Sequence, residues 1–236
     1  MSTVSSGEVH TVAHPDAGRF AVEEWRGAPA ALHATDAGTA PGQPRAIWCV
    51  ATATALVLGS AQPDATVDVA ACARHDLAVA RRRSGGGAVL VVPGEIVWLD
   101  VLVPRGDPLW SDDVGRAMWW LGELWADVLR ELEPGAHVGV HRGPLERTPW
   151  SSVVCFDGLG AGEVVVDGAK AVGISQRRRR DVARLQSSLH LRWRPDVVVD
   201  VLAPPRPAVG DLRPVHAIAA DAARVRALVT ARLATR

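Results

Sequence analysis

The strongest periodic signal runs over residues 111–133, where Val114, Met118, Leu121, Trp125, Val128 and Leu132 recur at three- and four-residue steps. That spacing predicts a helix with one apolar face. Ser111 is placed as its N-cap, Asp112 and Asp113 suit the positive end of its dipole, and Pro134-Gly135 stops it. A weaker stripe of Ile218, Ala222, Val225 and Val229 predicts a second long helix over 216–233. Short apolar runs predict strands at 46–50, 55–58, 77–80, 88–92 and 95–103, and a later group at 153–156, 163–166 and 170–174. Short helices are expected at 22–26 and at 67–75, the latter with Asp64 near its start. The Ala/Gly/Pro/Thr-rich stretch 28–44 reads as loop, and the proline-rich stretch 195–214 as a surface connector. Strands grouped around two long helices define an α+β class with mixed or antiparallel sheets. Residues 1–44 are expected to be an N-terminal extension, partly loop, and 45–236 one domain with no accessory domain after it.

Composition narrows the function without naming it. A chain of 236 residues can bury a large core. Lys+Arg and Asp+Glu balance at 26 each, so no global field points to nucleic acid or to an anionic membrane. The longest weakly polar run, 46–61, contains Thr52, Thr54 and Gly59 and falls short of a membrane span. Cys49, Cys72 and Cys155 make neither a disulfide framework nor a metal pair, and the first residues lack the basic start of a signal peptide. A cytoplasmic protein is the expectation. The eight histidines show no HExxH spacing, and His137 and His141 sit beside Gly139 and Gly143 as strand or loop residues, so zinc chemistry is not expected.

Two segments carry candidate chemistry. The first is Arg81-Arg82-Arg83-Ser84-Gly85-Gly86-Gly87-Ala88-Val89. Three glycines between apolar runs let the backbone approach a ligand and present its N–H groups; the same pattern also describes a flexible hairpin tip. No Gly-Lys-Ser/Thr follows, so it is not a Walker loop. The second holds the one lysine of the chain, in Asp167-Gly168-Ala169-Lys170-Ala171-Val172-Gly173, with Glu163 before it and Arg177 after it. An ammonium is a compact charge with three donors that a guanidinium does not replace everywhere. Strand alternation puts Lys170 and Val172 on one face, and Ala171 and Gly173 on the other. Arg178, Arg179 and Arg180 read as a solvated charge run.

Together these segments resemble the lipoate–protein ligase family of the biotin/lipoate ligase fold, which carries Arg-Arg-x-Ser-Gly-Gly-Gly-x-Val, read here over 82–89, and Gly-x-Lys-x-x-Gly-x-x-x-Arg, here 168–177. A weaker match is Val57-Leu58-Gly59-Ser60-Ala61-Gln62, and the resemblance covers about 45–192. It implies a biotin/lipoate ligase-like catalytic domain that uses ATP to convert lipoate into lipoyl-AMP, then passes the acyl group to a lysine. The acceptor would be a lipoyl domain of a 2-oxoacid dehydrogenase complex or the glycine cleavage H protein. By the same resemblance Lys170 is the catalytic cation, and Arg83, Ser84, Gly85, Gly86, Gly87, Gly173 and Arg177 line the acyl and nucleotide pocket. Glu163 would help hold Mg²⁺.

The chain departs from the family pattern in having Leu90-Val91-Val92-Pro93 for a His-Asp pair and Gln186-Ser187-Ser188 for Gln-His-Gly, and in lacking Asn-Asp ahead of the lysine. Cys155-Phe156-Asp157 opens an alternative, resembling the octanoyltransferase branch, in which a cysteine takes octanoyl from acyl carrier protein and passes it to a lysine. There His137 or His141 would approach Cys155. A third reading is a non-catalytic binder of lipoyl domains or acyl-nucleotides. With the first two ranked, ligase stands above transferase.

Overall fold

The computed structural model describes residues 8–36, 38 and 42–236. Residues 1–7, 37 and 39–41 of the expected N-terminal extension lie outside the described residues. Strands β1 (His10–Ala17), β2 (Phe20–Gly27), β3 (Arg45–Ala51), β7 (Ile96–Pro104), β8 (Val138–Val140), β9 (Val164–Val166), β10 (Ala169–Arg178) and β11 (Val182–His190) form one sheet in the order β1-β2-β3-β7-β11-β10-β9-β8. Strands β4 (Ala55–Leu58), β5 (Ala78–Arg81) and β6 (Val89–Val91) form a second, in the order β5-β4-β6. Pairing is mostly antiparallel; β2–β3 and β4–β5 are parallel. The class is α+β with mixed sheets, as the pattern predicted.

Helix α3 (Trp119–Leu132) covers one face of the large sheet and α5 (Ala222–Leu233) packs beside it, while α1 (Pro29–Ala34), α2 (Val69–Arg74) and α4 (Pro195–Asp200) are short. Leu121, Leu124, Trp125, Val128 and Leu129 of α3 are buried with Val225, Val229 and Leu233 of α5 against Phe20, Leu99 and Val172. The Trp125 indole N–H donates to Ser187 Oγ at 3.0 Å, so the largest core side chain leaves no polar atom stranded. A smaller core under the three-stranded sheet joins Leu56, Leu58, Cys72 and Leu90 to Val198, Val201 and Leu202.

Several boundaries differ from the expectation. Residues 22–26 are strand, not helix: Val22 joins Phe20 in the core on one face, Trp25 is buried in a separate cluster on the other, and Glu23 and Glu24 meet Arg45 and Arg226. β2 then pairs with β3 across the boundary expected at residue 44, and the stretch read as loop holds α1. α3 starts at Trp119 rather than at 111; Asp113 instead accepts N–H bonds from Gly115 and Arg116 at 2.8 and 3.1 Å, before a 3-10 turn at Arg116–Met118. The first helix residue of α2 follows Asp68, which accepts from the Ala71 N–H, whereas Asp64 opens a separate 3-10 turn. α5 begins only after Asp221, whose side chain caps it. The run at 153–156 is no strand: beyond a bridge from Val154 to Ala88 it turns into a 3-10 helix at Cys155–Asp157. The connector at 195–214 includes α4, whose Val198 is core. Strand β11 is not foreshadowed, since Arg184, Gln186 and Ser188 interrupt its apolar pattern.

Candidate active site

Lys170 faces the interior. Its strand pairing with β9 shifts register between Lys170 and Val172, which undoes the simple alternation. A Cβ on Gly173 would lie 3.2 Å from the Phe156 ring and 3.5 Å from Lys170 Cε, so Lys170 and Gly173 share a face. The side chain is 5 % exposed and runs over the Phe156 ring, with Nζ 4.9 Å from its centroid. Nζ pairs with Glu163 Oε2 at 2.7 Å and donates to the carbonyls of Cys155 at 3.1 Å and Gly158 at 3.0 Å. Three ammonium hydrogens meet three acceptors, which is how a buried charge is tolerated.

Glu163 is equally committed. Oε2 also accepts from the Gly160 N–H at 2.7 Å and Oε1 from the Ile174 N–H at 3.0 Å. A carboxylate so occupied does not fit the Mg²⁺ role expected of it, and no group of three or more His, Cys, Asp or Glu side chains among the described residues is placed to hold a metal. Its work here is to anchor Lys170 and to join β10 to the turn at Gly160.

The glycine bend is closely packed at Gly87 and open at Gly85. Gly86 has φ +99°, and a Cβ on Gly87 would sit 2.6 Å from the Val154 carbonyl carbon and 2.7 Å from the Cys155 nitrogen. Gly85 has nothing within 4 Å on its open side. Arg82 ties the bend from within, donating to the carbonyls of Gly85 (2.8 Å), Gly87 (2.7 Å) and Val57 (3.2 Å). Gln62 fixes the other wall: it accepts from the Gly59 N–H at 2.8 Å and donates to the Ser152 and Val153 carbonyls at 3.1 Å. The amide N–H groups of Gly85, Gly86 and Gly87 find no acceptor among the described residues.

Two cavities meet at Cys155. An open cleft brings together Gly85, Gly86, Gly87, Cys155, Glu163 and Lys170. An apolar cavity is walled by Val57, Val89, Val91, Ile96, Trp98 and Gly173. Cys155, Ile174 and Ser175 belong to both. The Cys155 thiol is half-buried, with an Arg82 guanidinium nitrogen 3.8 Å from Sγ.

The lysine and the triple-glycine bend therefore share one cleft although they are far apart in sequence. Arg83 and Arg177 do not join them; they line a separate cavity. Taken place by place, the nine-position motif starts at Arg81, which leaves Arg83 at its variable position. The structure agrees: Arg82 is 5 % exposed and Arg83 is on the surface. Ser84 lines neither cavity of Cys155; its hydroxyl shares a hydrogen bond with Ser175 Oγ at 3.0 Å and donates to Gln186 Oε1 at 3.1 Å. His141 is occupied by the Pro144 carbonyl at 2.8 Å, and neither it nor His137 lines the space around Cys155.

Arg82, Phe156 and His190 were not singled out from the sequence as site residues. For Arg82 a signal existed, because the inward alternation of Ala80 continues through Arg82 to Ser84. His190 stands edge-on to Phe156 at 4.6 Å, and its Nε2 has no partner among the described residues. Burial, with Lys170 nearby, pushes its pKa down to about 4. His33, stacked 4.4 Å from Trp98, is pushed down to about 3 by burial and by Arg184 and Arg82.

Residues 30–233 match the lipoyl protein ligase A/B catalytic domain, and the chain belongs to that family. It is 32 % identical over 147 residues to octanoyltransferase LipM of Kyrpidia tusciae, covering 61 % of this chain and 53 % of that one. The chain spans about half the length of the curated relatives it matches. In fold it resembles the bipartite lipoate protein ligase of Thermoplasma acidophilum, solved in a study with its E2 lipoyl domain (TM-score 0.66, 15 % identity, 91 % of this chain and 81 % of that chain). A lipoate-protein ligase A bound with ATP is also similar (TM-score 0.55, 20 % identity, 79 % and 69 % covered).

Proposed function

We propose that this chain is an acyltransferase that moves an octanoyl group from acyl carrier protein, through Cys155, to a lysine of a lipoyl domain. The observation that carries the reading is the position of Cys155 in the wall common to the apolar cavity and the open cleft. An acyl chain in the cavity gains ~0.8 kcal/mol per buried methylene while its carbonyl reaches the thiol. The Cys155 sulfur attacks the donor thioester, the carrier thiol leaves, and an octanoyl thioester remains on Cys155. The acceptor amine then attacks that thioester from the cleft, forms the amide and releases the Cys155 thiol. Arg82 supplies an N–H donor to the sulfur, and the free amides of the glycine bend supply donors for the oxyanion of each tetrahedral intermediate. Lys170 holds the turn that presents Cys155, through the Cys155 and Gly158 carbonyls. The name of the Kyrpidia relative supports this order of preference over the ligase expectation.

A second reading keeps the ligase chemistry: ATP and lipoate form an acyl-adenylate in the same cleft, and Lys170 meets its phosphate. The meeting of Lys170 with the glycine bend favours it, as does the fold likeness to the ATP-bound ligase. It requires Lys170 to exchange its present acceptors for phosphate oxygens. A non-catalytic binder fits neither the thiol placement nor the free amides.

An assay separates them. The chain is incubated with an apo lipoyl domain and either octanoyl acyl carrier protein alone or ATP, Mg²⁺ and lipoate. Transfer from the carrier without ATP, abolished in Cys155→Ser, is expected. Modification only with ATP, undiminished in Cys155→Ser, would replace this reading with the ligase one. Turnover of either kind removes the binder.

A further inference from the structure

Cys155, Ile174 and Ser175 line the apolar cavity and the open cleft alike, and Ile174 is apolar. The Ser175 hydroxyl is therefore the polar group that shares this junction with the thiol. It stands two residues beyond Gly173 on β10, on the same face, and opposite Gln186 of β11. Its polarity is set from deeper in the sheet. Asp100, wholly buried, accepts from the Arg184 guanidinium at 2.7 Å, the Trp98 indole N–H at 2.7 Å and the Gln186 amide nitrogen at 3.1 Å. An amide turned the other way would set its oxygen against that carboxylate, so Gln186 presents Oε1 to Ser84. A hydroxyl has one proton, and Ser84 gives its own to Gln186 Oε1 at 3.1 Å. The 3.0 Å contact between the two serines is then made with Ser175 donating to Ser84. Ser175 Oγ has no other partner among the described residues. With its proton committed, the oxygen is left as an acceptor.

We propose that Ser175 orients the incoming amine: Oγ accepts one N–H of the acceptor lysine and turns the nitrogen lone pair towards the acyl carbonyl on Cys155. The inference rests on the transferase reading and adds to it the group that handles the second substrate. A neutral amine has two hydrogens and one lone pair, so holding a hydrogen fixes where the lone pair points. The N–C bond forms and the C–S bond breaks, its electron pair going to sulfur. The proton shed by nitrogen ends on that sulfur, so thioester and amine become amide and the Cys155 thiol. The same polarity excludes two other roles for Ser175. An oxygen without a free proton cannot serve the oxyanion, which is left to the amides of the glycine bend. A hydroxyl that donates to another hydroxyl, rather than to a base, is not activated as a nucleophile.

Timing the two half-reactions separately on the full chain, by intact-protein mass spectrometry, tests this. Octanoyl transfer from acyl carrier protein to Cys155 is followed first. Discharge of the isolated adduct is then followed with a lipoyl domain or with ethanethiol, which attacks as a thiolate and has no hydrogen to donate. Ser175→Ala is expected to form the adduct at the unsubstituted rate and to discharge it to ethanethiol unchanged. Its discharge to the lipoyl domain should be about tenfold slower, the scale of one hydrogen bond. Ser175→Thr keeps the hydroxyl and should retain amine discharge; Ser175→Val, of the same shape without it, should lose it. That pair decides the question if the alanine variant does not fold. Amine discharge at the full rate in Ser175→Ala and Ser175→Val overturns the inference. Thiol discharge or adduct formation slowed as much as amine discharge does the same, and each of these outcomes leaves the transferase reading standing. No adduct on Cys155 of the unsubstituted chain removes both.

Discussion

At Lys170, three acceptors and an aromatic floor surround an ammonium that is almost out of water. Lys170→Ala breaks a buried pair and is expected to cost ~3–5 kcal/mol of stability, read by denaturant melts. Lys170→Arg keeps the charge, and its planar fork does not reproduce the three-point clamp; it should stay folded and lose transfer, and full activity in it would show that the clamp is dispensable. A second residue-scale consequence concerns His190. Its folded pKa of about 4 lies below the ~6.5 of an unfolded histidine. Between those values the unfolded chain binds the proton and the folded chain does not. Stability therefore falls as pH drops from ~6.5 towards ~4, by up to ~1.4 kcal/mol per pH unit for this group. Urea melts at several pH values should show a shallower acid slope in His190→Gln, and an identical slope would remove the assignment. How much of the site could be read beforehand divides along the same residues. Lys170 and Cys155 stand out because lysine and cysteine are rare in this chain, and Gly85-Gly86-Gly87 because three glycines run together. Arg82 hides inside a basic tract whose neighbours point outward, and Phe156 and His190 matter only through three-dimensional contact.

The elements that position the site depend on close backbone approach. A Cβ on Gly87 strikes the segment carrying Cys155, whereas a Cβ on Gly85 meets nothing within 4 Å. Gly87→Ala should lower the melting temperature and abolish transfer, because the turn must shift by several tenths of an ångström. Gly85→Ala should leave the melt unchanged, so any rise in KM in that variant reports a substrate crossing the bend. Equal melts for the two variants would contradict the packing described for Gly87. Element legibility followed burial. Strand β4 is a continuous apolar run, β7 is broken only by Asp100, and both were placed nearly to the residue. β11 carries Arg184, Gln186 and Ser188 on one face, each with a specific polar or cavity-lining role, so its pattern reads as non-strand although it sits between β7 and β10. The start of α3 was placed too early because Ser111 and the two aspartates imitate a cap, while Val114 remains 60 % exposed.

Over the whole molecule, the large sheet supplies one face to the α3–α5 core and the other to the chain of cavities, with the three-stranded sheet closing the far wall. What joins the layers is partly ionic. Asp100, with no exposed side-chain surface, takes Arg184 at 2.7 Å, the Gln186 amide at 3.1 Å and the Trp98 indole at 2.7 Å. Arg184→Met leaves that carboxylate short of its counterion and is expected to destabilise the fold by ~3–5 kcal/mol in thermal or urea melts. A change below ~1 kcal/mol would mean that the remaining donors suffice. The α+β class was legible because helix and strand periods differ so clearly; the joining of residues 10–27 to the sheet was not, because β1 is mostly exposed and carries little apolar signal. The central claim, that Cys155 carries the acyl group between the two cavities, is met most directly by intact-protein mass spectrometry after mixing the chain with octanoyl acyl carrier protein and no ATP. The account predicts a single octanoyl adduct, released by hydroxylamine, mapped to Cys155 and discharged when a lipoyl domain is added. Transfer to the lipoyl domain with no adduct on Cys155, and at full rate in Cys155→Ser, would contradict it.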